Sequence, residues 1–228
     1  MSQNLLKRII TSIILLVLLL FVNFTNKYIF IFSILMLGVV ICVEANNMFL
    51  KLATSKTLRN NKPKKFNLKF LILNLITFLY VFFIFCNFSY EIYILKGPFF
   101  FLYLLTVCFF TDIGGYVFGK IIGGKKLSKI SPNKTISGTI GSFLFSLVPL
   151  ILFLNFNYLD LKINLNNVTY ILLVSLISQI GDLFVSYIKR KSKIKDTGKI
   201  LPGHGGVLDR VDGIIFAVPF SYFLLKII

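Results

Sequence analysis

Residues 186–213 read SYIKRKSKIKDTGKILPGHGGVLDRVDG and hold three of the chain's eight carboxylates, Asp196, Asp209 and Asp212, with its single histidine, His204. Lys189, Arg190 and Lys195 stand among them, and Asp182 lies just upstream. Asp182, Ser186 and Lys189 are spaced i, i+4 and i+7, so a helix presents a carboxylate, a hydroxyl and an ammonium on one face. Asp209 and Asp212 are spaced i, i+3 around Arg210. They suit either the capping of a helix N-terminus or the hard-oxygen ligation that Mg²⁺ prefers, completed by phosphate oxygens and water. Convergence of Asp182, Asp209 and Asp212 on one cation requires the last two helices to pack together. Gly203, Gly205 and Gly206 beside His204 either let backbone N–H groups approach an anion or simply connect two helices. His204 suits a phosphate contact, proton transfer or a turn cap. A second polar cluster carries Asp112, an intramembrane carboxylate and therefore a functional candidate, followed by a Lys- and Ser-rich stretch with Ser131 and Lys134.

The elements that must position these groups are greasy. The 228 residues are 57% hydrophobic, with a mean hydropathy of +0.86, and apolar runs recur at lengths suited to a bilayer. The reading is an all-α, polytopic helical membrane bundle of about seven spans (six to eight), over 9–24, 28–50, 70–88, 98–118, 139–156, 168–188 and 208–228. The net charge of +17 comes from 25 basic against 8 acidic residues. The N-terminal tail and alternate links carry two, seven, five and six basic residues, and the intervening links and C-terminal end one each. That alternation places the N-terminus and all the rich links in the cytoplasm, and explains the charge without nucleic acid. Lys7 and Arg8 before an apolar run resemble a signal peptide, but no small-residue cleavage site follows, so a retained first span is expected. Cys42, Cys86 and Cys108 lie inside apolar runs without metal-ligand spacing and read as packing residues. Glu44, near the end of the second span, reads as a solvated helix end. Gly115, Gly119 and Gly123 at four-residue steps suit close helix packing, and Pro149 suits a kink. One membrane domain, 1–228, is expected, with the polar motifs confined to 98–228.

The run Ser186-x-x-Lys189-Arg190, Lys195-Asp196, Pro202-Gly-His204-Gly-Gly and Asp209-Arg210-x-Asp212 resembles the signature of the phosphatidate cytidylyltransferase (CDP-diacylglycerol synthase) family. Thr111-Asp112-x-Gly-x-Tyr116, Ser131-Pro-x-Lys134-Thr135 and Ser178-Gln179-x-Gly181-Asp182 resemble two further blocks of it. The resemblance implies an Mg²⁺-dependent nucleotidyltransferase of phospholipid biosynthesis, making CDP-diacylglycerol and pyrophosphate from CTP and phosphatidic acid. It implies a multi-pass protein of the bacterial inner membrane, with its active site on the cytoplasmic face and a homodimeric state. It assigns Asp182, Asp209 and Asp212 to the metal, with a second cation left open, and Lys189 to catalysis. Substrate contacts fall to Ser186, Arg190, Lys195, Asp196, His204, Gly205, Gly206, Arg210, Asp112, Ser131 and Lys134. Two acidic positions of the family are neutral here, as Ser137 and Val185. A CTP-using lipid kinase and a transporter are the rival classes.

Overall fold

The computed structural model describes residues 3–60, 68–127, 131, 134–154, 159 and 161–227, with the side chains of 3–7 and 54–60 excepted. Pro63 and 61–67 of the first basic link, 128–130, Pro132 and Asn133 of the second, and 155–158 at the end of the expected fifth span lie outside the described residues. In order, the helices are α1 (Gln3–Phe24), α2 (Lys27–Asn60), α3 (Leu68–Leu79), a π-helical turn (Tyr80–Cys86), α4 (Asn87–Ile121), α5 (Ile136–Ser146), α6 (Val148–Phe153), α7 (Leu165–Lys191), α8 (Leu208–Val211) and α9 (Ile214–Ile227). No named strand occurs among the described residues, only two isolated bridges, Lys126 with Thr135 and Leu201 with Gly205.

Among the described residues, four helical stretches are long and apolar enough to cross a membrane: Lys27–Ala53, Leu68–Ile121, Ile136–Phe153 and Leu165–Lys191, with a shorter apolar helix at Arg8–Phe24. At 54 residues, Leu68–Ile121 exceeds twice the ~20 residues one crossing needs. Gly97 divides it, with φ 81° and ψ 173°, directly before Pro98. Large apolar side chains stand exposed along these helices, among them Ile13, Val17, Leu75, Ile76, Phe83 and Ile140. Such continuous exposure is a liability in water and the expected surface in lipid. The fold is that of a helical membrane protein.

The chain forms two compact units, Met1–Asn87 with Ile188–Val211, and Phe88–Tyr187 with Asp212–Ile228. In the first, Asn26 caps α2 by accepting from the Ile29 N–H at 2.9 Å. Phe30, Ile34, Ile41, Ala45 and Met48 form the buried stripe of α2, at the three- and four-residue steps of one helix face. The π-helical turn packs on that stripe at Gly38, where an added Cβ would stand 3.1 Å from Cys86 Sγ and 3.2 Å from Val81.

In the second unit, Thr135 caps α5 by accepting from the Gly138 N–H at 3.0 Å. Pro149 starts α6 after Leu147 interrupts the helix, so the expected kink is a short break. Helices α4 and α5 meet through glycines. A Cβ on Gly115 would stand 2.6 Å from Ser142 Oγ, one on Gly138 2.7 Å from the Gly115 carbonyl, and one on Gly119 3.1 Å from Thr135 Oγ1. Gly123, expected to continue this row, lies past the end of α4 with φ 63°, and an added Cβ there would meet no atom within 4 Å. Buried hydroxyls tie the remaining helices: Thr111 donates to Ser175 Oγ at 3.0 Å, and Tyr170 shares a 2.6 Å hydrogen bond with Ser221. Cys42, Cys86 and Cys108 are free thiols, the last two buried.

Candidate active site

In the first unit α7 ends in a left-handed turn. Lys193 has φ 55°, its N–H donates to the Arg190 carbonyl, and the Ile194 N–H donates to the Lys189 carbonyl, both at 3.1 Å. This is the paired closure of a Schellman motif, with lysine where glycine is usual. The chain then returns through a turn at Leu201–Gly205, in which Gly203 and Gly205 take φ of 78° and 86°. The His204 and Gly205 amides donate to the Leu201 carbonyl at 3.0 and 3.2 Å. The Gly206 amide donates to Asp209 Oδ2 at 3.0 Å. The three amides that could have faced an anion are therefore taken up within the chain.

Asp209 gathers this segment. Its Oδ2 also accepts from the Thr197 N–H at 2.8 Å, and its Oδ1 pairs with Lys189 Nζ at 2.9 Å. Burial alone would raise the Asp209 carboxyl. The hydrogen bonds from Lys189, Thr197 and Gly206, with the lysine's charge, more than offset that and hold it below the ordinary carboxylate range. Arg210 turns back to the loop, donating from Nε and a terminal nitrogen to the His204 carbonyl at 3.1 and 2.6 Å. The start of α1 meets the same turn: Arg8 Nε donates to the Gly203 carbonyl at 3.0 Å. Thr11 Oγ1 lies 2.7 Å from His204 Nδ1, and Ser12 Oγ 3.3 Å from Nε2. Of the roles open to His204, the geometry favours holding the turn. Arg190, Lys195 and Asp196 are exposed.

One residue of this cluster escaped the sequence reading. Glu44 is not a solvated helix end; it is 2% exposed. It accepts from Thr197 Oγ1 at 2.9 Å and from the Val207 and Leu208 amides at 3.0 and 2.8 Å. Its donors lie more than 150 positions away in the chain, so local spacing held no signal beyond a carboxylate within an apolar run.

In the second unit Asp182 Oδ2 pairs with Lys134 Nζ at 2.5 Å, the side chains 25% and 29% exposed. Its Oδ1 accepts from Ser186 Oγ at 3.2 Å, as the one-turn spacing predicts. Two motif blocks far apart in the chain, one containing Lys134 and one ending at Asp182, are thereby joined. Helix α7 packs closely on the Asp212–Gly213 turn. A Cβ on Gly181 would stand 3.0 Å from the Asp212 carbonyl, and one on Gly213 2.5 Å from Ser178 Oγ. Asp182 and Asp212 thus lie on adjoining elements. Asp212 is 8% exposed, and its Oδ1 accepts from the Gly213 N–H at 3.0 Å. Asp112 is exposed on α4, and the Ser131 carbonyl accepts from the Lys134 N–H at 3.1 Å. The shared helix face expected for Asp209 and Asp212 does not form. Helix α8 stops at Val211, so Asp212 lies outside it, and the two aspartates fall in different units.

Residues 11–228 match the cytidylyltransferase family. The chain belongs to the cytidylyltransferase family. Curated relatives named phosphatidate cytidylyltransferase include one from Staphylococcus haemolyticus, 45% identical over 130 residues, covering 57% of this chain and 50% of the relative. Another, from Staphylococcus aureus, is 46% identical over 134 residues with the same shares. A third, from Staphylococcus saprophyticus, is 41% identical over 133 residues. The chain spans about half the length of the curated relatives it matches.

The two neutral replacements have structural places. Val185 is buried. Ser137 donates to the Gly123 carbonyl and shares a hydrogen bond with Thr135, bracing the turn before α5. The donor chemistry fits Mg²⁺ at Asp182 and Asp212, two hard carboxylates on adjoining elements, since this cation needs only one or two from the protein. Among the described residues no group of three or more His, Cys, Asp or Glu stands ready to hold a metal. Asp209, like Asp182, has both oxygens engaged, here by Lys189, Thr197 and Gly206.

Proposed function

We propose that the chain is a CTP:phosphatidate cytidylyltransferase acting at the cytoplasmic face of a bacterial inner membrane, as a homodimer. An anionic phosphate oxygen of phosphatidic acid attacks the α-phosphorus of CTP. A new P–O bond forms, the bond from the α-phosphorus to the bridging oxygen breaks, and pyrophosphate leaves with the electron pair. The attacking oxygen is already ionised, so no general base is needed. What remains is positioning and charge neutralisation. Asp182 and Asp212 would hold Mg²⁺, whose chemistry here is to screen phosphate charge and stabilise the departing pyrophosphate. Lys134 neutralises Asp182 and can turn to a phosphate oxygen when a cation takes its place. The family resemblance assigns Arg190 and Lys195, both exposed, to substrate phosphate. The lipid's acyl chains stay in the bilayer.

The observation that carries this reading is the Lys134–Asp182 pair. It unites two of the motif blocks beside the Asp212 turn in a chain whose family match extends over residues 11–228. The test supplies purified chain with phosphatidate vesicles, Mg²⁺ and CTP labelled in the cytidine. Label should enter the lipid, and Asp212→Asn should lower the rate about a hundredfold or more with unchanged yield of folded protein. Label left wholly in free CDP while the lipid gains a phosphate would mark a lipid kinase instead. Ion flux in proteoliposomes without CTP would mark a transporter.

A further inference from the structure

Glu44 lies on α2, in the part of the chain that carries none of the motif residues, yet every donor it meets belongs to the motif loop of its own unit. A buried carboxylate is costly unless its oxygens are satisfied. Here Oε2 takes the Thr197 hydroxyl and the Leu208 amide, and Oε1 takes the Val207 amide. Thr197 is shared: its hydroxyl goes to Glu44 and its amide to Asp209. The two carboxylates grip the loop from opposite ends of one residue. Space is shaped to the same end. A Cβ on Gly206 would stand 2.5 Å from Glu44 Oε2, and one on Gly198 would meet Glu44 Oε1. Both glycines are required because the carboxylate stands between them.

We propose that Glu44 is a positioning residue for the reaction. It holds the Thr197–Leu208 loop in the one arrangement in which Asp209 receives its amides and fixes Lys189. The role rests on the cytidylyltransferase reading for its kinetic consequence and on geometry alone for the clamp. The chemistry is specific to glutamate. Glutamine keeps the length, but turns an N–H toward an amide that already donates. Aspartate keeps the charge and falls short by one methylene, roughly 1.5 Å.

The test uses the full chain in membranes or detergent, as Glu44→Gln, Glu44→Asp and Thr197→Val. Trypsin reads the clamp directly, because Lys199 is exposed within the loop it holds and Lys193 and Lys195 are exposed just before it. Cleavage there should be about tenfold faster in each variant, the scale of one lost buried hydrogen bond. Per folded molecule, kcat for cytidine transfer should fall about a hundredfold. Thr197→Val should add little in the Glu44→Gln background, since both act through one contact. A merely structural Glu44 would lower the folded yield and leave kcat per folded molecule unchanged, which overturns the proposal, as would unchanged cleavage in both Glu44→Gln and Thr197→Val. A wild-type chain that puts no cytidine into lipid sinks the proposed function, and the trypsin arm then still decides the clamp.

Discussion

Asp209 accepts from an ammonium and two backbone amides while only 7% of its side chain is exposed. Removing one partner of such a pair leaves a buried charge uncompensated. Asp209→Ala should therefore cost about 3–5 kcal/mol of stability, measured by thermal unfolding in detergent. The sign of the pH dependence follows from the lowered carboxyl. With a folded pKa below the unfolded value of about 4, the carboxylate's contribution is whole above that value and is lost as pH falls through the folded one. Unfolding temperature should hold from pH 7 to about pH 4.5 and drop below about pH 4. Asp209→Asn should flatten that drop. Both aspartates of the last motif were legible in the sequence as carboxylates with a purpose. Which of them pairs with Lys189 was not, because i, i+3 spacing assumes a helix that ends before Asp212.

At the scale of the elements, most helix ends follow local chemistry: Asn26 before α2, Thr135 before α5, and Gly97 with Pro98 inside the long fourth stretch. Lys193 is the exception. It occupies the left-handed position that closes α7, where a Cβ costs about 1–2 kcal/mol. Lys193→Gly should stabilise the folded chain by about 1 kcal/mol, seen as a raised unfolding midpoint with cytidine transfer retained. The glycine row of α4 was readable as a packing face at Gly115 and Gly119. Gly123 was not, since four-residue steps persist in the sequence after the helix has stopped.

Across the whole molecule, apolar length and the alternation of basic links determine topology before any contact forms. The proposed orientation puts Lys195 in the cytoplasm and Lys162 on the opposite side; both are exposed. In inside-out vesicles, a membrane-impermeant maleimide should label Lys195→Cys and spare Lys162→Cys. Right-side-out vesicles should reverse the pattern. Both cysteines labelled from the same side would overturn the seven-span arrangement. Each compact unit combines an N-terminal portion of its range with a C-terminal return, 1–87 with 188–211 and 88–187 with 212–228, so neither is a continuous half of the chain.

Composition, hydrophobic run length and charge placement sufficed for a helical membrane protein, and fixed polar spacing sufficed for its family. Both are properties of the chain read along its own direction, where helix periodicity and capping act. The partners of the carboxylates were decided only in three dimensions: Lys134 for Asp182, Lys189 for Asp209, and the distant loop for Glu44. A buried charge selects whatever donor the packing brings within about 3 Å, and nothing in the spacing of residues along the chain records which one that will be.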